Sequence, residues 1–575
     1  MSSVLSTVKI ALFFILTFAL LITSAHAQQP SLGKVDFPTS GSKKAQDLFL
    51  QGVAALHSFE YEDAREYFRE ATKIEPDFAM SYWGEAMTHN HSLWSEQDFS
   101  SARMVLSKIK DTSKLTEREQ AYINAVKILY GEGDKLARDK AYAAAMEQIY
   151  RAYPNDSEAA CFYALALLGA VRPGDKDMVQ RKMQAGAIAL DIYQKYPNHP
   201  GAAHYVIHAF DDPDHAILAL PAALRYAAIA PSAEHAQHMP AHIFFSLGMW
   251  PEAVASNEAA WTTSNDWVKQ KKHPASMRDY HSLHWLLYAY LQQGRYQKAE
   301  ELLRIVQQTM ADTTNDSSSS PYRYTSYYAE MAATFVMDTE RWDLAAKIFT
   351  PLDKTTNQKN ETSGPQASGG GGTQMSGSSQ NTTRSQGRVT LLPVFMNGFV
   401  AAMRGVADAE KDATTLREMG KPSPGGLPQV NANRQKYFEV FALEIEALKK
   451  SANGDFAAAI ELMKKATENE EGTTMVAGPV MFIKPSHELF GEILLRAGKP
   501  KEAAEMFTLA LQRQPNRARS LLGAARAAVK NGDSQRAMKF YSQLLQQWKN
   551  ADAQLAELRE AQDYTKQAKL SLGQN

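Results

Sequence analysis

Ten of the fifteen histidines in this 575-residue chain fall between His199 and His284, and they recur at fixed offsets. His204 and His208 return 34 residues later as His238 and His242. His235 and His238 return 46 residues later as His281 and His284. The residues around them shift in step: Gly248, Trp250 and Ala253 become Gly294, Tyr296 and Ala299. A neutral imidazole is a good ligand for zinc, copper or iron. Two imidazoles four residues apart on a helix leave from one face and reach one ion. His204, His208, His238, His242 and His284 are therefore candidate metal ligands, and Asp211 could add an oxygen. A wider ligand-binding surface takes in His204, His208, Asp211, His235, His238, His242, His281, His284, Trp285 and Tyr288. Histidine also titrates near neutrality, so the cluster suits acid–base work or pH response as well. No catalytic residue is named by any motif. HExxH, G-x-S-x-G, CxxC and glycine-rich phosphate loops are all absent. The sequence demands no cofactor; a transition metal (zinc, copper or iron) is the one these residues would take.

Each histidine pair needs a helix to carry it. Pro200 can open one, with His204 and His208 inside. Ser232 is a plausible cap for a helix bearing His235, His238 and His242, and Asp279 for one bearing His281 and His284. Pro240 lies between His238 and His242 and should break or bend its helix. Asp212, before Pro213, reads as a helix cap, which leaves Asp211 for function. His199 reads as a turn residue and His273 as solvent-exposed. His57, Asn90 and His91 would reach the same region only if the array curls round on itself.

Elsewhere the pattern is a hairpin repeat. Gly498, Ala503, Phe507 and Ala510, followed by Pro515, return 34 residues later as Gly532, Ala537, Tyr541 and Leu544. Gly52, Ala64, Phe68, Ala71 and Pro76 show similar spacing, as do Gly454, Phe456, Ala459, Met463 and Ala466. Small residues let two helices approach, and an aromatic fills the gap between repeats. These residues resemble the tetratricopeptide repeat. The resemblance implies an all-α, right-handed superhelical solenoid of antiparallel helix pairs, with the first helix of each pair lining a concave binding groove. HPGAAHYVIHAFDDPDHA, IAPSAEHAQHMPAHIFFSLGMW, RDYHSLHW and YWGEAM resemble a narrower group of exported, histidine-rich tetratricopeptide-repeat proteins. That second resemblance implies export and supplies no activity.

Lys9, the apolar run Ile10–Ile22 and small residues at Ala25 and Ala27 read as a signal peptide over residues 1–27. The chain is then exported, periplasmic or secreted. No later stretch is long and apolar enough to span a membrane, so no stable insertion is expected after cleavage. Formal net charge is −1, which offers no basic field for nucleic acid. Cys161 is the only cysteine, in an apolar stretch, and reads as core. The histidine-rich solenoid covers 45–350, with its groove at 199–290. A Gly/Ser/Thr/Asn/Gln-rich segment, 355–388, reads as a disordered loop. Residues 420–429 form a second break, 389–550 carry further repeats, and 551–575 form a polar tail suited to a capping helix.

Three functions remain open. The chain is a scaffold capturing a peptide, protein or small polar ligand in the groove; or it holds a metal and uses it; or the histidines only stitch neighbouring helices together.

Overall fold

A computed structural model of the protein describes residues 31–172, 175–312, 322–352, 378–406, 408–422, 428–473, 478–479 and 482–572. The expected leader, 1–27, lies outside the described residues. So does 355–377 of the low-complexity segment. A helix, Ser378–Met403, begins inside the remainder of that segment, directly after Gly377, the last residue of its glycine cluster. Helix Pro428–Ala452 likewise starts within the second expected break. The tail carries helix Ala556–Leu572.

The chain is a succession of antiparallel helix pairs, each packed on the next. Among the described residues the only sheet is a two-stranded ribbon, Asn90–His91 with Glu96–Gln97. No helix of the described residues is long and apolar enough to cross a membrane. Within pairs the turn commonly carries a glycine in the left-handed region, as at Gly248 (φ 66°) and Gly294 (φ 67°). A side chain with a Cβ is strained there, so glycine closes the hairpin at least cost.

Packing between pairs follows the expected small-against-aromatic rule. Phe68, on helix Tyr61–Ile74, is fully buried between Gly52 and Gly84 of the two flanking helices. A Cβ on Gly52 would sit 2.7 Å from the Phe68 ring, and one on Gly84 closer still. Phe507 lies between Gly491 and Gly523 in the same way. The aromatic thus sets the spacing of successive first helices.

The central helices are Pro200–Ala209, the broken pair Glu234–His238 and Pro240–Ser246, and Tyr280–Gln292. Pro240 does break its helix, because it has no N–H to continue the ladder. Asp279 caps as expected, accepting the His281 and Ser282 N–H groups at 3.0 and 3.2 Å. Ser232 does not cap. The residue preceding its helix is Ala233, and the Ser232 hydroxyl instead accepts the Ser31 N–H at 3.0 Å. Asp212 accepts the His215 N–H at 3.1 Å and its Nδ1–H at 2.6 Å, at the turn before helix Ala216–Ile229.

The array also touches itself across long sequence distances. Trp250 Nε1–H donates to the Asn516 carbonyl at 2.8 Å, and Trp548 Nε1–H to that of Gln292 at 2.9 Å. Arg517, 1% exposed, reaches Asp338 at 2.6 Å, Glu488 at 2.9 Å and the Tyr288 hydroxyl at 3.0 Å. A buried guanidinium survives only with such partners.

Replacing Gly84 by alanine tests the packing rule. Alanine gains about 1 kcal/mol of helix propensity. The clash with the enclosed Phe68 ring outweighs it, for a net loss of about 1–2 kcal/mol. Urea unfolding should show the midpoint falling; a midpoint at or above that of the parent chain would refute this account of the repeat spacing.

Candidate histidine centre

The three central first helices place their histidines by one rule. Each carries positions three before, at, and four after a reference point: Gly201, His204 and His208; His235, His238 and His242; His281, His284 and Tyr288. A three-histidine group forms from the latter two positions of one helix and the first position of the next. His204, His208 and His235 make one group; His238, His242 and His281 make the other, each with one nitrogen per ring within 4.8 Å of the rest.

The two groups are congruent. Ring centroids in the first lie 4.6, 4.9 and 6.2 Å apart (His204–His208, His204–His235, His208–His235). The equivalent distances in the second are 5.1, 4.6 and 6.3 Å. The groups are neighbours, with His208 and His242 rings 6.3 Å apart.

Outward nitrogens decide the chemistry of the inward ones. His238 Nδ1 is 2.7 Å from Asn257 Oδ1. Asn257 spends its NH2 on the Ala253 carbonyl at 2.8 Å, so its oxygen faces the ring and His238 Nδ1–H donates. His242 Nδ1–H donates to Asp211 Oδ2 at 2.7 Å. With both rings neutral, both Nε2 atoms carry lone pairs, and they face each other at 3.2 Å. In the first group His204 Nδ1–H donates to the His57 carbonyl at 2.7 Å, turning its Nε2 lone pair toward His235 Nε2 at 3.1 Å. His208 Nε2 is buried with no hydrogen-bond partner among the described residues.

Burial holds His204, His208, His235, His238 and His281 neutral. It pushes His204 down to about 3 and His238, with His242 beside it, to about 4. Burial also lowers His208, His235 and His281, each helped by neighbouring histidines. Rings that refuse protons at neutral pH are poor acid–base catalysts there and good ligands. An ion held by three histidines retains an open coordination position, the arrangement of reactive rather than structural zinc. His235, His242 and His281 are only half-buried.

Three expected site residues are placed differently. His284, taken as a ligand, stands in neither group. Three residues on from His281, it is rotated toward Glu330, with Nδ1 and Oε2 3.7 Å apart. Tyr288 is buried and hydrogen-bonded to Arg517, away from any groove. Asp211 stands behind His242, where it fixes that ring's orientation. Trp285 is a wall of the second group, its ring 5.0, 4.4 and 5.4 Å from those of His238, His242 and His281.

Other contributors escape a reading by spacing. Phe59, strained at φ 60°, lays its ring 4.4 Å from His204 and 5.4 Å from His235. Glu60 accepts the His235 N–H at 3.1 Å, and burial pushes its carboxyl up to about 8. Neither lies near the central helices in sequence. His57 and His199 share one buried carboxylate, Glu158, at 2.6 and 2.9 Å. Burial works to raise that carboxyl, but the two rings outweigh it and hold it well below its usual range. His199 Nδ1 accepts the Ala202 N–H at 3.2 Å, and His57 Nδ1 meets the Tyr205 hydroxyl at 2.9 Å. Both nitrogens of each ring are engaged within the protein, so this third cluster is a structural rivet rather than a metal site. His273, expected exposed, is half-buried and meets Glu62 at 3.0 Å.

The fold is thus a helical-hairpin solenoid with a row of histidines on its first helices. Residues 45–78 and 494–561 match models of the tetratricopeptide repeat. Those two stretches, near either end of the array, are tetratricopeptide repeats. No curated protein matches the chain. Among solved structures, it is similar to yeast Tom70 (11% identity, 92% of this chain and 90% of that one, TM-score 0.27). A human IFIT1 dimer with PPP-AAAA is similar at 10% identity, over 86% and 88% of the chains, with a TM-score of 0.32. The P58(IPK) TPR domain is similar at 13% identity, over 91% and 99%, with a TM-score of 0.20.

The neutral buried rings make stability depend on pH. Unfolded, each titrates near 6.5; folded, His204 does so at about 3 and His238 at about 4. Between those values the unfolded chain binds protons that the folded chain refuses, so stability falls as pH falls. Chelator-treated protein should lose denaturant midpoint steadily from pH 6.5 to 4. A midpoint that holds or rises on acidification would show that these rings are not neutral and buried.

Proposed function

We propose that this chain is a transition-metal-binding tetratricopeptide scaffold whose histidine row presents the metal to a small polar ligand. One observation carries the reading: His238 and His242, each with Nδ1–H committed to an oxygen, aim two lone pairs at each other at 3.2 Å. Two lone pairs at that distance repel unless a cation lies between them. His281 completes a three-nitrogen set, which suits zinc, copper or iron. Asn257 and Asp211 supply the outer hydrogen bonds that orient metal-ligating imidazoles.

A second reading, capture of a peptide or protein segment in the same groove, is favoured by Trp94. Its ring is 47% exposed and lies 6.1 Å from that of His235. The two readings combine if the metal grips a side chain of the captured segment. Export belongs to the same proposal, supported by the leader-like residues 1–27.

Untagged protein reconstituted separately with zinc, copper and iron should retain a transition metal on elemental analysis. His238→Ala/His242→Ala should lose at least one equivalent. Asp211→Asn, which keeps the shape but weakens the acceptor, should bind about 10–100-fold less tightly with its melting point nearly unchanged. No metal retained under any reconstitution would sink the reading. For export, N-terminal sequencing of the mature chain should begin at Gln28; a chain that keeps Met1 in the cytoplasm would count against it.

A further inference from the structure

The two histidine groups are copies of one site, related by the step from one repeat to the next. That step carries His204 and His208 onto His238 and His242, and His235 onto His281. It moves the His208 ring by 6.3 Å, its distance from the His242 ring. His208 and His242 are thus the facing rings of the two groups, one from each. His208 is as near to His242, at 6.3 Å, as it is to His235, at 6.2 Å. His208 Nε2 is buried and unpartnered, and it belongs to the first group, so that group too has a donor awaiting an occupant.

We propose that the two groups hold a pair of transition-metal ions that together bind one small oxyanion, a carboxylate or phosphate, with one oxygen on each ion. This rests on the metal reading above and goes beyond it in the number of ions, their pairing and the ligand class. A ligand that joins the two must offer an oxygen to each ion. A carboxylate or a phosphate does so from one small molecule. Each ion keeps an open position for that oxygen, since each has three protein nitrogens. His208, His235, His242 and His281 are half-buried, two rings in each group. The pair of ions is cationic and its protein donors are nitrogens rather than carboxylates, so an anion is the favoured guest.

Copper(II) reconstitution of the untagged full chain tests this. Elemental analysis should give two equivalents, and electron paramagnetic resonance should show the half-field transition of two dipole-coupled copper ions. His204→Gln/His208→Gln and, separately, His281→Gln should each leave one equivalent and abolish the half-field signal. Circular dichroism should show both variants folded; if one unfolds, the other carries the test. On cobalt(II)-loaded protein, inorganic phosphate and acetate are titrated in turn while the visible d–d bands are followed. Whichever oxyanion spans the pair should bind at least tenfold more weakly to either variant. Zero equivalents would overturn the metal reading itself. One equivalent in the parent chain would overturn only the pair. Two equivalents without a half-field signal would place the ions too far apart. Oxyanion affinities equal in parent and variants would overturn the bridge.

Discussion

An imidazole that spends its Nδ1 hydrogen on an oxygen acceptor has only a lone pair left to offer at Nε2. That constraint governs the centre of this molecule. Asn257, Asp211 and the His57 carbonyl each take one such hydrogen, and each thereby decides what its ring presents inward. For His204 and His238 burial closes the other escape, because protonating Nε2 would place an imidazolium in a low-dielectric interior. The cluster is therefore a set of oriented electron-pair donors. Its counterpart, the His57–Glu158–His199 rivet, uses the same residue type to the opposite end. There every ring nitrogen meets a protein partner, and nothing is left for a ligand.

Why there are two groups, and not one or three, follows from the repeat. Helix spacing set by aromatic rings against glycines brings each first helix to a fixed offset from the next. A histidine at three before the reference point then falls beside the previous helix's pair. The series stops upstream because Gly201 holds that leading position, where any Cβ would press on the His57 ring. It stops downstream because Tyr288 stands where a histidine would pair with His284 and is drawn into the Arg517 network.

Much of this was legible in the residue order. The 34- and 46-residue offsets locate the helices, and the small-and-aromatic spacing predicts their packing. Helical periodicity says that His204 and His208 share a face, as do His238 and His242. It does not say which residue arrives from the next helix. His281 and His284 are equal candidates by spacing, and only the rotation of helix Tyr280–Gln292 selects His281. Contributions from Phe59 and Glu60 were hidden for a different reason. They come from the first hairpin, more than a hundred residues upstream, and contact order of that kind leaves no local pattern. Asn257 is on the second helix of its pair, where nothing in the sequence distinguishes it from a surface amide.

Arg517 has a wider consequence. A linear array of hairpins couples only to its nearest neighbours, so its ends fray first and its melting broadens. Here the guanidinium joins residues 338 and 517, and Trp250 and Asn516 join segments 266 positions apart. Those ties staple the trailing hairpins onto the middle of the array. Opening the final units then costs contacts at the histidine-bearing core, which converts a row of semi-independent blocks into one cooperative body and lends the histidine-bearing helices a rigidity that their own short lengths would not provide.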